Sequence, residues 1–389
     1  MSRYGRSLGT GLLIGAAAGL LLGVVDQYGR RRGPQLIDWD WAVTIARRTC
    51  GAVPPLSGAE RAALEADYRR VLDRIEAPIG QYTRTHLPLQ GTAVRVLDRP
   101  DWIEANASNF QELLQPFEAF YAEKAHKERG NTGQGIGRMA LSSQLGVLLG
   151  YLARRVLGQY DISLLGREPV DAGKLYFVEP NIRLLETSLG VPPAEVRTWI
   201  ALHEATHAHE FELHPWVRTH LNSTLQEYLR SMVQELADGR GLGSPFGGLA
   251  ERLVENLRHG HNLLTSFMTA EQRALVSRLQ ALMALLEGYS NHIMHQVGQG
   301  LLPHFAEIEA RVEARQKQRS PIELWFLRVT GLSMKMEQYA LGEQFVGQVV
   351  QARGVDFLNR VWDGPETLPT EDELRTPAAW MARVEAAAA

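Results

Sequence analysis

Cysteine is nearly missing from this sequence: Cys50 stands alone in 389 residues. One thiol excludes an intrachain disulfide, a cysteine-built zinc site and the cross-linked scaffold of small secreted domains. Any metal the chain binds must be held by histidine and carboxylate. An excess of one charge is missing too. Lys and Arg number 41 against 44 Asp and Glu, a formal net charge of −3. No broad positive field exists to attract nucleic acid, so nucleic acid is not an expected partner. With 45% apolar and 22% charged residues, the composition is that of a folded globular chain and not of a disordered one.

Long apolar runs are equally scarce. The single one, "LGTGLLIGAAAGLLLGVV" at residues 8–25, is free of charge and flanked by Arg3 and Arg6 before it and Arg30, Arg31 and Arg32 after it. Eighteen such residues just suffice to span a bilayer. Gly11, Gly15, Gly19 and Gly23 recur every four residues, a pattern that lets a second helix approach closely. Three readings stay open: a membrane-inserted helix able to self-associate, a cleaved signal peptide, or a Gly-rich soluble helix. Arginines on both flanks leave orientation undecided, and the expected location is cytoplasmic or membrane-associated. No comparable run follows Gly33, and neither a repeat nor a linker divides the remainder. The expected organisation is an N-terminal segment, 1–33, followed by one domain, 34–389.

That domain reads as mainly α. "DWDWAVTIARRTC" (38–50) opens on a capping aspartate, and "SGAERAALEADYRRVLDRIEAPI" opens on the capping box of Ser57 and Glu60, with Pro78 expected to end or kink it. "RMALSSQLGVLLGYLARRVLG" (138–158) is expected to be a buried helix in which Gly146 and Gly150 permit close packing. "TAVRVLDR" (92–99) and "KLYFVEP" (174–180) have strand composition and predict a small two-stranded β element. "NTGQGIG" (131–137) and "GRGLGSPFGG" (239–248) do not lie between a strand and a helix, so they read as loops and not as phosphate cradles.

The chemistry concentrates in "ALHEATHAHEFELHPW" (201–216). The apolar spacing of Val196, Trp199, Ile200 and Leu202 predicts a helix, on which His203 and His207 are about 40° apart in azimuth and about one turn apart along the axis. Two imidazoles so placed can converge on one zinc ion. Glu204 is turned away by about 100°, suited to taking a proton from water beside the open metal position rather than to ligating. His209 points to the opposite side and is not expected to ligate, while Glu210 is expected to support the site from behind or to lie at the surface.

A catalytic zinc needs a third protein ligand. Candidates lie in "TAEQRALVSRLQALMALLEGYSNHIMHQVG" (269–298), capped by Thr269 and Gln272: Glu287, His292 and His295. Glu287 leads, because a carboxylate in so apolar a run is costly unless it meets a cation or a metal. Asn291, one turn later, is placed to hydrogen-bond a ligand from behind. His259 and His261 flank Gly260 in an expected solvated loop. Tyr339, in the polar block "KMEQYALGEQF", is a candidate oxyanion stabiliser.

Together with "IDWDWAVTIARR", "RVLGQYD", "LYFVEPNI", "WIALHEATHAHEFELHPWVRTHL", "LLEGYSNHIMHQVG", "GLSMKMEQYALGEQFV" and "VWDGPETLPT", these blocks resemble a family of zincin-like, zinc-dependent metallopeptidases. Some of its members carry a label of association with deazaflavin-coenzyme biosynthesis. The resemblance covers nearly all of residues 37–384. It implies a largely α-helical, single-domain zincin-like fold, with His203 and His207 as ligands, Glu204 as base and Glu287 as third ligand. Family members often have histidine after the Glu-Gly pair. Here Tyr289 stands in that position, offering a phenol in place of an imidazole for transition-state hydrogen bonding. The expected activity is hydrolysis of a peptide or small amide. The competing readings are an inactive, metal-stabilised binding or scaffold protein and a non-peptide amidohydrolase.

Overall fold

Capped amphipathic runs become helices and the two β-branched runs become strands in the computed structural model, which describes residues 35–127, 134–160, 174–237, 268–317 and 334–387. In chain order the first elements are α1 (Trp39–Thr49), α2 (Gly58–Thr83), β1 (Ala93–Leu97), α3 (Arg99–Leu113), α4 (Gln115–Lys127), α5 (Gln134–Ala153), β2 (Gly158–Tyr160), β3 (Lys174–Val178) and α6 (Glu179–Leu189). The later ones are α7 (Pro193–Glu212), α8 (Pro215–Ala237), α9 (Ala270–Leu301), α10 (Phe305–Lys317), α11 (Met334–Arg353), α12 (Val355–Leu358), α13 (Glu371–Arg375) and α14 (Pro377–Ala386). The fold is mainly α. Among the described residues no helix is long and apolar enough to cross a membrane. The Gly-striped run 8–25, the loop 239–248 and the histidines at 259 and 261 lie outside the described residues.

The described residues divide into two units, 35–52 with 114–154 and 53–113 with 155–387. In the first, Asp38 caps α1 by accepting from the Trp41 amide, and Arg47 and Arg48 occupy the last turn, where the helix dipole favours them. α1 packs on α5 where glycine allows it. A Cβ at Gly146 would sit 2.5 Å from the Ala42 carbonyl oxygen and one at Gly150 2.0 Å from Thr49 Oγ1. The Trp41 indole also donates to Ser143 Oγ at 2.9 Å. α5 is less buried than its apolar sequence predicts, because only one face meets α1 and leaves Leu141 and Val147 exposed. Its first turn, from Gln134, takes in part of the run read as a loop.

In the second unit the Ser57–Glu60 capping box starts α2 as expected. Pro78 does not end that helix, which runs on to Thr83. Proline there removes one backbone hydrogen bond, and the buried stripe Tyr68, Leu72, Ile75 and Ile79 holds the helix together across the gap. The sheet has three strands in the order β1-β3-β2. β1 runs parallel to β3 with Val94 opposite Leu175. β2, a strand the sequence pattern does not mark, runs antiparallel with Gln159 opposite Tyr176. Phe177 stacks on Tyr68 at 3.7 Å between ring centroids, joining sheet to α2.

α9, 32 residues long with the predicted Thr269–Gln272 capping box, crosses α11 at a pair of glycines. A Cβ at Gly342 would stand 1.8 Å from the Ala284 carbonyl oxygen, and one at Gly288 2.2 Å from the Gly342 carbonyl carbon. Backbone cannot yield as a side-chain tip can. Gly342→Ala is therefore expected to destabilise the protein by about 1–3 kcal/mol, seen as a lower denaturant midpoint with an unchanged slope. The same substitution at Gly347, where nothing lies within 4 Å, is the control expected to be neutral or mildly stabilising.

Candidate metal centre

α7 is apolar on most of its circumference, with Val196, Ile200, Ala201, Leu202, Ala205 and Ala208 all buried. Its orientation is fixed by an ion-pair cluster around the buried Glu179, one turn and a half before the histidines. Arg197 donates from Nη1 and Nη2 to Glu179 at 2.8 and 2.7 Å. Its Nε lies 2.7 Å from Glu186 Oε1. Glu179 is wholly buried and also accepts from Arg183 Nε at 2.8 Å.

On the far half of α7, His203 and His207 face the same side, their rings edge to face at 4.8 Å. Glu287 reaches them from α9, its Oε2 lying 3.8 Å from His203 Nε2. One ligand-type atom from each of the three residues lies within 4.8 Å of the other two, and among the described residues no other group of His, Cys, Asp and Glu is so disposed. The three side chains keep between 15% and 24% exposure, so the cluster opens to solvent.

Behind it, the His207 Nδ1–H donates to Glu210 Oε2 at 2.7 Å. Ser290 Oγ, from α9, lies 3.1 Å from that nitrogen and donates to Glu210 Oε1 at 3.4 Å. Glu210 and Ser290 are buried. With Nδ1 committed to a carboxylate, Nε2 is the nitrogen left to face an ion. Burial, reinforced by the neighbouring His207, lowers His203 to about 4, so this ring is neutral. For His207 burial acts downwards, but the Glu210, Glu287 and Glu204 carboxylates together outweigh it and the net shift is upward.

Glu204 lies beside this group and is buried. Burial, aided by the charge of Glu287, pushes its carboxyl up to about 7, while the Tyr160 backbone amide donates to it and acts in the opposite sense. The space for its carboxyl group exists because residue 158 is glycine. A Cβ there would lie 2.6 Å from Glu204 Oε1 and from its Cγ.

The other predicted residues are placed elsewhere. Tyr289 sits about 200° around α9 from Glu287. Its hydroxyl donates to Asn359 Oδ1 at 2.9 Å and its ring meets Trp362 edge-on at 5.1 Å. Asn359 in turn donates to the Thr83 carbonyl, so this phenol clasps α9 to the end of α2 instead of facing the histidines. The Asn291 side chain makes no hydrogen bond among the described residues; Ser290, one residue earlier, makes the contact expected of it. His292 Nε2 pairs with the Tyr82 hydroxyl at 2.6 Å, and His295 Nδ1 with Glu309 at 3.1 Å, which leaves both outside the cluster. His209 is buried and donates from Nδ1 to the Ala205 carbonyl, within its own helix. Tyr339 falls in α11, but its side chain lies outside the described residues.

The donor set suits a metal of zinc type. Two imidazole nitrogens and one carboxylate, partly open to solvent, are what a catalytic zinc requires, and no cysteine is needed. A helical fold with such a centre fits a metal-dependent hydrolase. Residues 37–381 match the zincin-like metallopeptidase family, and the chain belongs to that family. The family implies a metal, typically zinc. A solved structure from Chloroflexus aurantiacus, described as "a putative hydrolase with a novel fold", is 38% identical and superposes with a TM-score of 0.67 over 90% of this chain and 99% of its own. Among curated proteins none matches.

Proposed function

We propose that this protein is a zinc-dependent hydrolase acting on the amide bond of a peptide or small amide, with His203, His207 and Glu287 holding the ion and Glu204 as general base. The observation that carries the reading is the convergence of these three side chains from two helices, with a buried fourth, non-ligating carboxylate at their side. A zinc ion held there supplies Lewis acidity, polarising the scissile carbonyl and lowering the pKa of water.

The protein's own residues do the rest. Glu204, whose carboxyl burial holds up at about 7 in the metal-free protein and a bound cation would bring lower, takes a proton from the attacking water. It then delivers that proton to the leaving nitrogen, so no covalent intermediate on the enzyme is required. Glu210 and Ser290 hold the His207 ring in the tautomer that turns Nε2 outward. The Arg197 cluster fixes α7 against α6, so the ligands do not depend on a loop for their position.

Elemental analysis of purified protein tests the ligand set. The parent is expected to hold close to one zinc per chain and Glu287→Ala close to none. Zinc retained by Glu287→Ala, or absent from the parent, would sink the assignment. Protons compete with zinc for the His207 ring, whose hold on them the neighbouring carboxylates of Glu210, Glu287 and Glu204 strengthen. Affinity is therefore expected to rise with pH across neutrality.

A further inference from the structure

We infer that strand β2 is a positioning element for Glu204, with Gly158 as the residue whose missing side chain sets where the carboxylate stands; this rests on Glu204 being the general base. Three consecutive residues carry it. A Cβ at Gly158 would fall 2.6 Å from Glu204 Cγ and Oε1 and 2.7 Å from its carboxyl carbon, which is well inside van der Waals contact. Gly158 is not among the residues with positive φ. Its backbone therefore tolerates alanine, and the obstacle to a side chain is Glu204 itself.

The strand cannot drift from that carboxylate, because both of its other residues are anchored. Gln159 Oε1 accepts from the Trp102 indole at 2.8 Å, and Gln159 Nε2 donates to Asn106 Oδ1 at 3.4 Å, which ties the strand to α3. Asn106 is itself held by the Trp102 carbonyl. Tyr160 donates its hydroxyl to Glu212 Oε1 at 2.6 Å and stacks on Phe211, both at the end of α7. Its backbone amide donates to Glu204. Just before the strand, the Leu157 carbonyl accepts from the Val178 amide at 2.8 Å. The Glu204 carboxyl thus lies against a fixed strand, held by one backbone donor and filling the space a side chain on residue 158 would take. Carboxylates near a reacting centre lose rate steeply when displaced by about 1 Å, and a methyl group on residue 158 would displace this one by about that much.

Gly158→Ala tests the inference, in two backgrounds and by two readouts. In the metal-free protein the substitution is expected to lower Tm by several degrees when Glu204 is present and by much less in the Glu204→Ala background, because the crowded partner is then gone. Equal losses in both backgrounds, or none in either, would overturn the contact. In the zinc-loaded protein, Gly158→Ala is expected to keep its metal content and KM while kcat falls by at least tenfold. An unchanged kcat alongside a Tm loss confined to the Glu204 background would show a contact without a positioning role, and overturn the inference. If the parent turns over no amide at all, it is the hydrolase reading that fails, and the Tm comparison still decides whether β2 sets the position of Glu204.

Discussion

Glu204→Gln is expected to lower kcat by about 10²–10⁴-fold, the span of general acid–base catalysis, while zinc stays bound. The amide is close to the carboxylate in size and can still accept from the Tyr160 amide, so the pocket keeps its shape. What disappears is the ability to take a proton. Glu204 is not among the three clustered ligand-type residues, so metal content should match the parent. The pH profile gives a second check with a definite sign. A base works only when ionised, so kcat/KM of the parent should fall as pH drops through the Glu204 pKa. Burial sets that value at about 7 without a metal, and the charge of a bound cation moves the limb to lower pH. The Gln variant should lack this acidic limb. Loss of zinc together with activity would instead make Glu204 a ligand and reverse the proposed roles.

Arg197→Met is expected to cost about 3–5 kcal/mol, the penalty for leaving a buried charge without its partner. Glu179 is wholly buried and takes two of its hydrogen bonds from Arg197, with Arg183, itself half exposed, supplying the third. Methionine keeps the apolar stem and removes only the guanidinium, so the loss reports on charge and hydrogen bonding rather than on a cavity. Denaturant unfolding with unchanged slope is the measurement. A double variant that also converts Glu179 to Gln should recover part of the loss, since the stranded charge is then gone. No recovery would mean that Arg197 acts through packing on Tyr68, over whose ring it lies at 5.7 Å.

The helices α1, α2, α5, α7 and α9 and the two main strands were legible because each carries its own signal. Caps at Asp38, Ser57 and Thr269 mark where helices begin, and β-branched or aromatic runs between turn-formers mark β1 and β3. β2 was not legible: three residues with one glycine carry no period, and pairing with β3 makes them a strand. Of the two outcomes expected at Pro78, an end or a kink, the end does not occur, because the buried stripe on both sides of it holds α2 continuous.

For the site, the four-residue spacing of His203 and His207 and the offset of Glu204 follow from the pitch of a helix, and a sequence states that pitch directly. Glu287 could be singled out as a carboxylate in an apolar run, but its rivals His292 and His295 were dismissed only by their partners Tyr82 and Glu309, which come from α2 and α10. Tyr289 looked available for chemistry until Asn359, 70 residues away, took its hydroxyl. Ser290 and Gly158 carried no signal, because a serine and a glycine acquire their roles from what packs against them. Sequence alone therefore determined that His203 and His207 share one face of α7 and that Glu204 stands off it. Tertiary structure decided which residue of α9 stands beside them, which polar groups stand behind them and how closely a strand crowds Glu204, since contacts between segments far apart in the chain are fixed by packing and not by local period.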